Sequence, residues 1–87
     1  MNYIVREEDF EVLVERQKEQ VKNQILTSYI RLRKEKGMTQ QEIADRTGIK
    51  RTNIARIESG RNAPTIEVLV KLAAALGMEL EIRLVER

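Results

Sequence analysis

Four glycines constrain this chain more than any other feature: Gly37, Gly48, Gly60 and Gly77 each stand where a helix-period apolar pattern stops. Glycine just past the last turn is the usual left-handed C-terminal cap, so each of them marks the end of a helix. The segments they separate therefore read as short helices joined by turns. Thr39-Gln40-Gln41-Glu42 has the pattern of a capping box. In such a box Thr39 accepts from the Glu42 amide and the Glu42 carboxylate reaches back to the Thr39 amide. This predicts a helix over 39–47 with Ile43 and Ala44 inward. A second helix over 50–58 turns Ile54 and Ile57 inward. Beyond the loop Asn62-Ala63-Pro64-Thr65, Thr65 is a good N-cap, and Glu67 complements the dipole of the helix it opens. Ile66, Leu69, Leu72, Ala73 and Leu76 follow at helical spacing up to Gly77. Upstream, Ile25, Tyr29 and Leu32 define a helix that ends at Gly37.

The two ends of the chain are patterned differently. Phe10, Leu13, Val14 and Val21 lie roughly on one helical face, so Glu8 to about Asn23 reads as an amphipathic helix. No Gly or Pro divides it from the helix that follows. Met1–Val5 reads as a short extended arm. After Gly77 the period changes: Met78, Leu80, Ile82 and Leu84 alternate with Glu79, Glu81, Arg83 and Val85, the pattern of a strand with one apolar face. A lone strand leaves its backbone groups unpaired, so this one must find a partner. Pairing with its own copy around Ile82 sets Glu81 opposite Arg83 and Leu80 opposite Leu84, and each opposite-charge pair contributes roughly 0.2–1 kcal/mol. Leu80, Glu81, Ile82, Arg83 and Leu84 are thus candidate dimerisation residues. The alternative partner is the chain's own arm, Asn2–Val5.

Composition narrows the function classes. With 87 residues the chain makes one small domain, and with one Phe, two Tyr and no Trp its core must be aliphatic. It has neither Cys nor His, which removes disulfides, thiolate zinc sites and the commonest catalytic bases and nucleophiles. An enzyme is not expected, nor a metal site or a cofactor. No signal-peptide run and no membrane-length apolar stretch is visible, so a soluble cytoplasmic protein is expected. The net charge of +2 is unevenly spread. Residues 24–62 carry nine basic and four acidic side chains, whereas residues 1–23 carry four basic and six acidic. A basic central block suits a polyanion-binding face, although Lys and Arg also serve simply to solvate exposed helices.

The spacing Gln40…Ala44…Gly48…Ile54 has a physical basis. A small residue lets two helices cross closely, a glycine turns the chain, and an apolar anchor leaves the other face of the second helix outside. The stretch LRKEKGMTQQEIADRTGIKRTNIARIESGRNAPTIEVLVKLAAALG, within Ile25–Gly77, resembles the XRE family of helix-turn-helix regulators, which share the fold of the phage Cro and repressor proteins. The C-terminal strand in place of a further helix is similar to the HigA-type antitoxins. The resemblance implies a mainly α fold: a five-helix bundle with an extra N-terminal helix and a C-terminal dimerisation strand. Residues 1–23 would form the arm and amphipathic helix, 24–77 the DNA-binding domain and 78–87 the strand.

It also implies roles for individual residues. Arg51, Thr52 and Arg56 fall at recognition-helix positions that reach base edges, Arg by pairing with guanine O6 and N7 and Thr by touching a base edge or a thymine methyl. Gln40 and Asn53 fall where the family contacts the phosphate backbone and flanking bases, and Lys50 and Arg61 would add phosphate contacts. Arg33 and Glu58 fall where the family has a structural ion pair. The implied partners are double-stranded DNA, a second copy of the chain and, on the antitoxin reading, a small basic toxin, an RNase, bound through the acidic N-terminal helix. Three positions depart from the family. Lys50 replaces the usual Ser or Thr cap, Tyr29 replaces an aliphatic residue, and Ile30 occupies a commonly polar position.

Overall fold

The computed structural model describes residues 7–87. Four helices stand among them: α1 (Glu7–Glu35), α2 (Gln40–Thr47), α3 (Arg51–Glu58) and α4 (Ile66–Ala75). No strand occurs among the described residues. The expectation of a five-helix bundle with a C-terminal strand is corrected on both counts. The amphipathic N-terminal segment and the helix after it are one 29-residue helix. Between Asn23 and Gln24 nothing removes an amide donor or favours a non-helical φ, so the ladder continues. The N-terminal arm Met1–Val5 lies outside the described residues.

The strand is absent for a different reason. Residues 78–87 carry the right alternation, but helices offer no open edge to receive a strand. Leu80 is half-buried, while Ile82 is 64 % and Leu84 101 % exposed. Arg83 Nε lies 3.0 Å from Glu81 Oε1 within the same chain, and both side chains are exposed. Leu80, Glu81, Ile82, Arg83 and Leu84 thus form no β-strand among the described residues.

The core sits where α2 packs against α3 and α4 and where α1 packs against α3. Leu26 and Tyr29 of α1, Ile43 and Ala44 of α2, Ile54 and Ile57 of α3, and Leu72 and Ala75 of α4 form one cluster with Met38 and Leu76. Ile43 and Ile54 are fully buried and Leu72 nearly so. Burial of each such side chain stabilises the fold by about 1.5–3 kcal/mol. Ile30, at its commonly polar position, packs partly buried against this cluster. Ile66, by contrast, stays exposed in the first turn of α4, and the apolar face of that helix is borne by Val68, Leu69 and Leu72 instead.

Caps define the short helices. Thr39 Oγ1 accepts from the Glu42 amide at 3.1 Å, and the Glu42 carboxylate accepts from the Thr39 amide at 3.3 Å. Thr65 Oγ1 accepts from the Val68 amide at 3.2 Å. Arg46 Nη1 donates to the Ala75 carbonyl at 3.1 Å, tying the end of α2 to the end of α4. No helix among the described residues is long and apolar enough to cross a membrane.

Candidate nucleic-acid interface

The turn between α2 and α3 sets the site. Gly48 adopts φ +78° and its N–H donates to the Ala44 carbonyl at 2.9 Å. A side chain at that φ would cost strain, whereas glycine adopts it freely. Thr47 then locks the corner: its hydroxyl donates to the Ile43 carbonyl at 2.8 Å and accepts from the Ile49 amide at 3.2 Å. α3 leaves this corner with Ile54 and Ile57 in the core. At 3.6 residues per turn the opposite face must point outward.

That outward face is basic. Arg51, Thr52, Arg56 and Arg61 are all exposed, and together with Ala55 and Ser59 they line one shallow hollow of about 380 Å³, open to solvent. Ala55 and Ser59 were not among the residues singled out from sequence, although their positions one turn from Arg51 and Arg56 place them on the same face. Arg61 is held there because α3 ends in a tight turn: the Gly60 amide donates to Ile57 and the Arg61 amide to Arg56, both at 3.0 Å. Lys22 Nζ of α1 reaches the Gly60 carbonyl at 3.5 Å, a contact across 38 residues that no local pattern could reveal.

Other candidate residues lie elsewhere. Asn53 is exposed but belongs to a separate hollow with Ile49, Asn62, Pro64 and Thr65. Gln40 is half-buried, and its Nε2 donates to Glu58 Oε1 at 3.3 Å. Its amide is thus turned toward the protein. Lys50 is exposed at the N-cap of α3 and makes no side-chain cap hydrogen bond. An oxygen there would accept from a free amide of the first turn. Lys50→Ser should therefore stabilise the fold by about 0.5–2 kcal/mol, read as a raised melting temperature. If Lys50 also meets a phosphate, the same variant should weaken DNA binding across all sequences and reduce the salt slope by about 1.

Beneath the basic face lies a buried ion pair. Arg33 Nε and Nη2 donate to Glu58 Oε2 and Oε1 at 2.9 and 2.7 Å, and Arg33 Nη1 donates to the Met38 carbonyl at 2.8 Å. The pair joins α1 to the last residue of α3 and so fixes how α3 is presented. Beside it the Tyr29 hydroxyl is buried without a hydrogen-bond partner. Burial, and next the Glu58 carboxylate nearby, push its pKa well above the ordinary phenol value of 10.0. The folded chain thus binds this proton more tightly than the unfolded one. Its contribution to stability is complete below pH 10 and is lost as pH rises further. Tyr29→Phe removes an unsatisfied donor, so it should be neutral or stabilising by up to about 1–3 kcal/mol near pH 7. It should also flatten the loss of stability above pH 10. A loss above about 1 kcal/mol in urea denaturation would mean that the hydroxyl is bonded after all.

Among the described residues no group of His, Cys, Asp or Glu side chains could hold a metal ion. A family model described as helix-turn-helix, of the XRE type, matches residues 30–82, which is more than half of the chain. The chain belongs to the XRE family of helix-turn-helix regulators. It is similar to an uncharacterised HTH-type transcriptional regulator of Sinorhizobium fredii, 42 % identical over 52 residues, covering 60 % of this chain and 68 % of that protein. A second HTH-type transcriptional regulator, from Methanothermobacter thermautotrophicus, is 45 % identical over 54 % of this chain and 68 % of its own length. The cryptic phage CTXphi transcriptional repressor RstR of Vibrio cholerae is 43 % identical over 56 % of this chain and 44 % of its own. No solved structure matches the chain at a comparable level. In this XRE-type regulator the matched span begins in the second half of α1 and ends in the C-terminal segment. The first half of α1 lies outside it.

Proposed function

We propose that this regulator is a transcriptional repressor that binds a pseudo-palindromic DNA operator as a homodimer. One observation carries the reading: Arg51, Thr52 and Arg56 of α3 and Arg61 in the turn just beyond it stand exposed together, while Ile54 and Ile57 hold the other face of the helix in the core. A basic helix face anchored in this way enters the major groove, where Arg reads guanine and Thr reads a base edge or thymine methyl. Lys50 and Arg61 meet phosphates, which position the protein without carrying sequence information. Asn53 is assigned to the flanking backbone. Two such modules on a two-fold axis read half-sites about 34 Å apart, one turn of DNA. The role calls for no cofactor and places the protein in the cytoplasm.

Selection of bound sites from random DNA tests this, repeated with Arg51→Ala and Arg56→Ala. An enriched palindrome whose defined positions lose their preference in each variant supports the assignment. Recovery of no motif by the unaltered protein overturns it.

A second reading is an antitoxin that represses its own operon and neutralises a small basic RNase. It is favoured by the acidic first half of α1, where Phe10 and Val14 are exposed instead of packing on their own domain. A small basic protein encoded beside this chain, and bound by it, separates the two readings.

A further inference from the structure

The first half of α1 extends away from the core and keeps an apolar stripe uncovered. Phe10, Val14 and Val21 are 56 %, 44 % and 50 % exposed. With Gln17 and Gln24 between and beyond them they recur at intervals of three and four residues, the seam pattern of a two-helix coiled coil. The stripe does not stop at Val21. It runs into an apolar groove where Ile25 and Ser28 face Leu69, Leu80 and Ile82. Residues 7–15 carry five acidic side chains and no basic one, whereas Arg16, Lys18 and Lys22 follow within the next two turns.

We propose that this stripe is the dimer interface, closed by α1 of a second copy running antiparallel. The reading rests on the homodimer proposed above and names its surface. Antiparallel pairing centred between Glu15 and Arg16 sets Phe10 of each copy against Val21 of the other and Val14 against Gln17. On the flank of the seam it brings Glu11 beside Lys18 of the other copy, twice by symmetry. Lys18 is exposed and pairs with Glu15, one turn before it on the same helix, at 3.0 Å. It can re-pair without cost to the core. Parallel pairing would instead lay the acidic segment on itself. A uniformly basic partner would meet Arg16 and Lys18 as like charges. The second copy, acidic where this one is basic, matches the whole stripe. With a rise of 1.5 Å per residue, the two Tyr29 cores then lie about 40 Å apart, on the scale of one DNA turn.

Sedimentation equilibrium of the full chain tests the surface. The unaltered protein should be dimeric at micromolar concentration, and Phe10→Glu with Val21→Glu should give a folded monomer that melts cooperatively at a temperature independent of protein concentration. Glu11→Lys and Lys18→Glu should each raise the dimer dissociation constant at least tenfold, and the two together should restore it. A dimer indifferent to Phe10→Glu/Val21→Glu overturns this interface while leaving the homodimeric repressor intact. A chain that stays monomeric on its own overturns the interface and the homodimer together, and leaves the stripe to another protein. Single charge changes that are not rescued by the double change overturn the antiparallel register.

Discussion

Arg33→Ala should destabilise the fold by about 3–5 kcal/mol, the cost of removing one partner from a buried ion pair. Arg33 is 8 % exposed and the Glu58 side chain 7 %, so solvent screens neither. Once the guanidinium is gone, the Glu58 carboxylate loses both of its charged hydrogen bonds and keeps the 3.3 Å one from Gln40, and the Met38 carbonyl loses its donor from Arg33. For a domain whose whole stability is of the order of 5–15 kcal/mol, this is a large part of the total. The melting temperature should fall by at least about 12 °C. Urea denaturation of Arg33→Ala, Glu58→Ala and the double variant gives the decisive comparison. The double variant should cost clearly less than the sum of the singles, because each single leaves a charge stranded that the double does not. Additive losses would show that the two side chains act separately. A variant with Arg33→Met and Glu58→Leu should recover most of the stability, since apolar packing of similar volume replaces such pairs well.

Arg51→Ala and Arg56→Ala should act in the opposite way, on binding and not on folding. Both side chains are exposed, so stability should stay within about 0.5 kcal/mol of the unaltered protein. Loss of a bidentate guanine contact costs about 1–3 kcal/mol, a loss of roughly 5- to 150-fold in affinity for the selected operator. The loss should be confined to operators with the matching base, leaving non-specific binding nearly unchanged. Arg61→Ala should weaken all sequences alike and lower the salt slope by about 1. Titration against operator and scrambled DNA at several salt concentrations distinguishes these patterns. Equal losses on both DNAs for Arg51→Ala would reassign Arg51 to the phosphates.

Several features could be read directly from residue order. The Thr39–Glu42 box, the Thr65 cap and the positive-φ glycines act over three to five residues, so the starts and stops of α2 and α4 follow from local chemistry. Ile43, Ala44, Ile54 and Ile57 sit inward because a helix repeats every 3.6 residues wherever it lies. The outward direction of Arg51, Thr52 and Arg56 follows from the same period. Gln40 is the instructive exception. Its place at the start of α2 suggests a side chain open to a phosphate, yet a buried carboxylate eighteen positions away draws its amide inward.

The alternation after Gly77 is the other side of that lesson. Residue order determined that positions 78–85 could form a strand with one apolar face, just as it determined caps, turns and helix faces, because those depend on neighbours along the chain. Only the tertiary structure decided that no strand forms there, that α1 is unbroken and that its first half stands clear of the core. A strand exists only when another backbone supplies its hydrogen bonds, and a helix face is covered only when another surface meets it. Both conditions belong to the assembled molecule and not to any stretch of its sequence.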